Sequence, residues 1–131
     1  MRPGRGVEKS AAALEKAPEL TVDSIDRAVE TADPQILGAV GAVLTEQLPQ
    51  DIAMARDALA TGDLVRLKRA AHNLKSSLGL FELPELIEHA RKIEHVPEVC
   101  NSDTLAPLAI GVEQLVAALH RWIASSTDPN P

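Results

Sequence analysis

Apolar residues recur along this chain at spacings of three and four, the period of a helix with one buried face. Val22, Ile25, Ala28 and Val29 make the first such stripe. It ends at Asp33-Pro34, an N-cap followed by proline at the first helical position, so one helix stops there and another begins. From Pro34 a second stripe runs through Ile36, Leu37, Val40, Val43 and Leu44. Pro49 interrupts it before Ile52, Ala55 and Leu59 continue, which predicts a break or kink near Leu48. Gly62-Asp63 reads as a stop followed by an N-cap and predicts a helix from Asp63 to about Phe81. Pro84 opens another, carrying Leu86, Ile87, Ala90 and Ile93, and the stretch from His95 to Ser102, with Pro97 inside it, reads as a loop. The clearest stripe is the last: Leu105, Leu108, Ala109, Val112, Leu115, Val116, Leu119, Trp122 and Ile123. No segment alternates apolar and polar residues between turn signals, and no repeat of solenoid length is present. The pattern predicts an all-α fold, a four-helix bundle preceded by one or two short helices.

Composition narrows the function. In 131 residues there is room for one domain. Residues 1–20 lack a sustained apolar face and read as a flexible leader, residues 21–125 as the bundle, and 126–131 as a flexible tail. Phe81 and Trp122 are the only aromatic residues, and the core must be built from Leu, Ile, Val and Ala, which suits packed helices. The single cysteine, Cys100, has no intramolecular partner, and MRPGRGVEKS lacks the apolar region of a secretory signal, so a reducing, cytoplasmic setting is expected. No apolar run approaches the ~20 residues that span a bilayer. A net charge of -6 argues against general attraction to nucleic acid or to an anionic membrane, leaving protein partners and, in the absence of any feature demanding a dimer, a monomer.

The candidate chemistry lies on the helix that starts at Asp63. At about 100° per residue, Leu67, Ala70, Leu74, Ser77, Leu78 and Phe81 gather on one face, with Leu64 at its edge. Within about 60° of His72 on the opposite face lie Val65, Lys68, Arg69, Lys75, Ser76 and Gly79, with no acid among them. The whole chain has 19 acidic and 13 basic residues, so three cations around a histidine reverse the local sign. Cations beside an imidazole favour its neutral, nucleophilic form and would stabilise a phosphoryl group attached to it. Taken alone, a histidine with lysine and arginine on an outer helix face is most often an ordinary solvated surface.

The segment Ala70-Ala71-His72-Asn73-Leu74-Lys75-Ser76-Ser77, followed by Gly79, by Leu83, Leu86 and Ile87, and by Lys92-Ile93-Glu94, resembles the histidine-phosphotransfer, or HPt, domain of two-component phosphorelays. The shared core is His-x-Leu-Lys followed by small residues. The Gly62-Asp63 junction and the Leu48-Pro49 break also fall where that family interrupts its helices, so the resemblance spans roughly residues 22 to 124. It implies that His72 is the phosphoacceptor, that Lys75 neutralises phosphoryl oxygens, and that Ser76 and Gly79 are small so that a partner can approach. Val65, Lys68 and Arg69 would complete the docking face. The partners implied are receiver domains of response regulators or hybrid histidine kinases. The magnesium used in that chemistry belongs to the receiver, and no metal site or cofactor is expected in this chain. The family usually has glycine ten residues after the histidine, where this chain has Glu82; an anionic side chain at that end of the docking face is expected to alter partner choice.

Other residues read more plainly. His89 and His95 are about 240° apart on a helix and do not share a face as metal ligands would, and His120 borders the last apolar stripe. Ser76 and Ser77 lack the partners of a nucleophile triad, and no nucleotide-binding loop or kinase motif is present, so no autokinase activity is expected. The alternative to a phosphocarrier is a helical interaction module with an HPt-like fold in which His72 carries no phosphoryl group. A carboxylate-bridged metal hydrolase ranks last, because Glu85, Glu88 and His89 do not repeat on facing helices.

Overall fold

The computed structural model describes residues 22–126. The expected leader lies outside them, as does the expected tail apart from Ser126. Among these residues five α-helices follow one another: α1 (Val22–Thr31), α2 (Pro34–Thr61), α3 (Leu64–Leu78), α4 (Pro84–His95) and α5 (Ser102–Ser126), with a short 3-10 turn, Pro97–Val99, between the last two. No strand occurs among the described residues. The architecture is the expected one: four long helices form the bundle and one short helix precedes it.

The junctions follow from their residues. Asp33 accepts a hydrogen bond from the Gln35 N–H at 2.9 Å, with Pro34 in the first turn of α2. At the far end Gly62 takes φ 74°, a left-handed conformation that side chains other than glycine adopt at a cost. This lets the Asp63 N–H reach back to the Ala58 carbonyl at 2.9 Å and the Gly62 N–H to that of Leu59, closing the otherwise open end of α2. Asp63 then caps α3 through the Arg66 N–H at 3.1 Å. Asn101 does the same for α5 through Thr104, at 2.9 Å.

Two expectations need correction. The predicted break near Leu48 is absent, and α2 runs unbroken for 28 residues through Pro49. The proline ring is exposed, while Leu48 and Ile52 on either side stay buried in the core. Burial of those side chains holds the helix in register across the proline. The helix bearing His72 also ends three residues before Phe81. Gly79, Leu80 and Phe81 continue as turns, with N–H groups bonded to carbonyls three or four residues back. That winding turns the chain toward Pro84 while keeping Phe81 and Leu83 buried.

Packing makes α3 one of two site-bearing walls. It lies between α2 and α4, whereas α5 packs on α2, on α1 and more lightly on α4; α3 and α5 face each other diagonally without close backbone approach. One continuous core joins them, with Leu48, Leu67, Leu74, Leu78, Leu108, Leu115 and Leu119 fully buried. α1 is held onto α5 by Ile25, Ala28 and Val29 and by an Asp26–Arg121 ion pair of 2.6 Å.

One charged residue interrupts this core. Asp51 in α2 is 1% exposed, its Oδ1 accepting from Gln47 at 3.2 Å and from Asn73 of α3 at 3.4 Å, and its Oδ2 has no partner. Burial pushes its carboxyl above the ordinary aspartate range, against the two hydrogen bonds. A carboxyl raised on folding binds its proton more tightly in the native state, so its stabilising contribution is present in acid and lost as pH rises through the folded value. Asp51→Asn is therefore expected to raise the denaturation midpoint at neutral pH. The gain should shrink as pH falls below the ordinary aspartate range, which paired urea titrations at the two pH values would measure.

Candidate functional site

His72 lies midway along α3 on the side turned away from the core. Its neighbours Ala70, Ala71 and Leu74 are buried, so the helix is anchored beneath it, while its own side chain is 58% exposed. Around it, Val65 is 72% exposed, and Lys68, Arg69 and Ser76 are exposed as well. These residues share the face that the helical wheel assigned to them. Gly79 is exposed but caps the end of α3 instead of continuing that face.

Glu82 occupies the connection to α4 and is exposed. There it lines a depression of about 210 Å³ together with Ser24, Arg27, Ala28 and Thr31 of α1. Its surroundings therefore include the short first helix, which a wheel drawn on α3 alone does not reveal.

The residue that changes the site most comes from α4. Glu94 places Oε2 2.9 Å from Nδ1 of His72 and Oε1 2.6 Å from Nζ of Lys75, bridging the histidine and the lysine one turn beyond it. Glu94 is 17% exposed. The expectation of an acid-free surround holds for the surface of α3 but not for the assembled site. On α4, Ile87, Ala90 and Glu94 fall on one face, and that face meets α3. The signal was present in the sequence as Lys92-Ile93-Glu94, yet only the packing of α4 on α3 gives Glu94 its role.

The electrostatics assign the ring nitrogens. Hydrogen bonding from Lys75, and then from His72, holds the Glu94 carboxyl below the usual glutamate range. It is ionised at neutral pH and can only accept, so the proton on the ring belongs on Nδ1. In the neutral ring Nε2 then carries the lone pair, and no protein group among the described residues bonds to it. The result is an exposed imidazole, its neutral form held in one tautomer, beside an ammonium group.

His89 makes a contact of 3.0 Å between Nδ1 and the Glu85 carbonyl of its own helix, and His95 and His120 are exposed. Burial raises the Cys100 thiol pKa, which keeps it un-ionised and a poor nucleophile. Among the described residues no group of three or more His, Cys, Asp or Glu side chains is placed to hold a metal ion, and no helix is long and apolar enough to cross a membrane.

Comparison with known proteins agrees with the geometry. The family model of the Hpt domain matches residues 40–122, from the first third of α2 to the last turns of α5, taking in His72, Lys75 and Glu94. Neither the curated proteins nor the solved structures yield a match. An all-helical bundle, an outward-facing histidine on its central helix and a family match over most of the described residues lead to one assignment: the chain belongs to the Hpt domain family.

Proposed function

We propose that this protein is a phosphocarrier in a two-component relay, accepting a phosphoryl group on Nε2 of His72 from a receiver-domain aspartate and passing it to another receiver. Family membership supports the general role. The observation that carries the finer reading is the 2.9 Å contact between Nδ1 of His72 and the Glu94 carboxylate, which leaves Nε2 as the nucleophile on an exposed ring.

In the forward step the Nε2 lone pair forms the N–P bond as the P–O bond to the receiver aspartate breaks, and that bond's electron pair returns to the aspartate oxygen. Discharge reverses these bonds. The transition state for such transfer is loose, so positioning and neutralisation of charge do most of the work. Glu94 supplies the positioning by fixing the ring's tautomer and direction. Lys75, one helical turn from His72, brings an ammonium to the phosphoryl oxygens. Lys68 and Arg69 add positive potential that attracts an acidic partner surface.

The test is incubation of the purified chain with a phosphorylated receiver, followed by assay for a phosphoryl group that is labile in acid and stable in alkali, the signature of an N–P bond. Transfer with that signature is expected. Stable binding without any transferred phosphoryl group would favour the non-phosphorylated interaction module instead. In the same assay Lys75→Ala is expected to slow transfer on the order of 100-fold, the usual cost of removing one preorganised charge-stabilising donor. An unchanged rate would remove Lys75 from the mechanism.

A further inference from the structure

Glu94 commits both of its oxygens before any phosphoryl group arrives. Oε2 faces His72 Nδ1, and Oε1, which is out of contact with solvent, has the Lys75 ammonium at 2.6 Å and no other partner. The backbone that carries it is the last turn of α4, anchored by the burial of Ile93 and by the Val96 N–H bonded to the Lys92 carbonyl at 2.9 Å.

Phosphorylation of Nε2 adds a dianionic group at the other side of the same ring. Nδ1 keeps its proton, so the phosphorylated ring is cationic and Glu94 attracts it; three effects favour discharge against that attraction. The phosphoryl group and the carboxylate repel each other across the imidazole. They also compete for the position of Lys75: its ammonium has three N–H donors but one location, and movement toward a phosphoryl oxygen lengthens its 2.6 Å contact with Oε1, which water does not reach. Lastly, the carboxylate keeps the proton on Nδ1, so when the N–P bond breaks the ring leaves as neutral imidazole and not as an imidazolate.

We propose that Glu94 sets the direction of phosphotransfer: by competing with the phosphoryl group for Lys75 it makes phosphorylated His72 a high-potential, short-lived donor biased toward discharge. The inference rests on His72 being the phosphoacceptor. In discharge, an oxygen of the accepting aspartate bonds to phosphorus, the N–P bond breaks with its electron pair returning to Nε2, and Nδ1 keeps its proton. Hydrolysis follows the same course with water as the acceptor and inorganic phosphate as the product. Because the same contact orients the ring for attack, Glu94 speeds charging as well, while the equilibrium leans away from the charged state.

Glu94→Gln tests this, since the amide oxygen still accepts from Nδ1 while the charge is gone. Two quantities are read on the full chain: the equilibrium ratio of phosphohistidine to phosphoaspartate with one purified receiver, and the half-life of the phosphoryl group after charging with phosphoramidate, a small N–P donor that needs no docking surface. The expected result is a shift of roughly tenfold toward phosphohistidine, about 1.4 kcal/mol, and a half-life longer by a similar factor. Lys75→Gln, which leaves the Glu94 carboxylate without its ammonium, should shorten the half-life. Opposite shifts in the two variants support the proposal; equal half-lives, or shifts of the same sign, overturn it and leave His72 as the carrier. Failure of phosphoramidate to label the wild-type chain at His72 would overturn the phosphocarrier reading itself, and this inference with it.

Discussion

His72→Gln is expected to abolish phosphoryl acceptance, by a factor of at least about 1000, while leaving the bundle folded. The position is 58% exposed and none of the buried core residues depends on it, so the change should cost no more than about 0.5 kcal/mol. Glutamine also keeps an amide donor that can face Glu94, so the variant removes the nucleophile without stranding the carboxylate. Transfer from a phosphorylated receiver and a urea midpoint, measured on the same preparation, decide the matter. Retained acceptance would move the phosphoryl group to His89, His95 or His120, and a collapsed midpoint would make His72 a structural residue.

Leu74→Ala is expected to do the reverse. This side chain is two residues from His72 but is 0% exposed, packed inward from α3 into the shared core. Truncation leaves a cavity and should cost about 2–5 kcal/mol, a large part of the about 5–15 kcal/mol that holds a typical domain together. The urea midpoint should fall accordingly, while the fraction that stays folded should accept phosphate at close to the wild-type rate. A midpoint within error of wild type would mean that the α3 interface collapses around the missing atoms at little cost.

The contrast between these neighbours shows what the sequence made legible. A wheel drawn on α3 separates His72 from Leu74 without any structure, because both orientations follow from the 3.6-residue period. The ends of α1 and α2 were equally plain, since Asp33-Pro34 and Gly62-Asp63 have local physical reasons to stop one helix and start another. Pro49 misled as to a break because the cost of an interior proline can be outweighed by packing, and the burial of Leu48 and Ile52 is settled only in three dimensions. Phe81 misled in the opposite sense: it is apolar and buried at the right spacing, yet it reaches the core from a turn. Glu94 could not be assigned from α3 alone, because its role is created by another helix. Asp51, by comparison, left a signal that was not used: Leu44, Leu48, Asp51, Ala55 and Ala58 follow the spacing of a buried stripe, with an acid in the middle of it.

The division of the site between α3 and α4 also bears on how such a carrier diversifies. The nucleophile and the cations around it are written in one short stretch of the gene, and the carboxylate that faces them in another, 22 codons downstream. On the proposed roles, a change at position 94 would alter how strongly the imidazole holds a phosphoryl group, whereas changes at positions 65, 68 and 69 would alter which surface it meets. Donor strength and partner choice would then rest on different helices and could be changed one without the other.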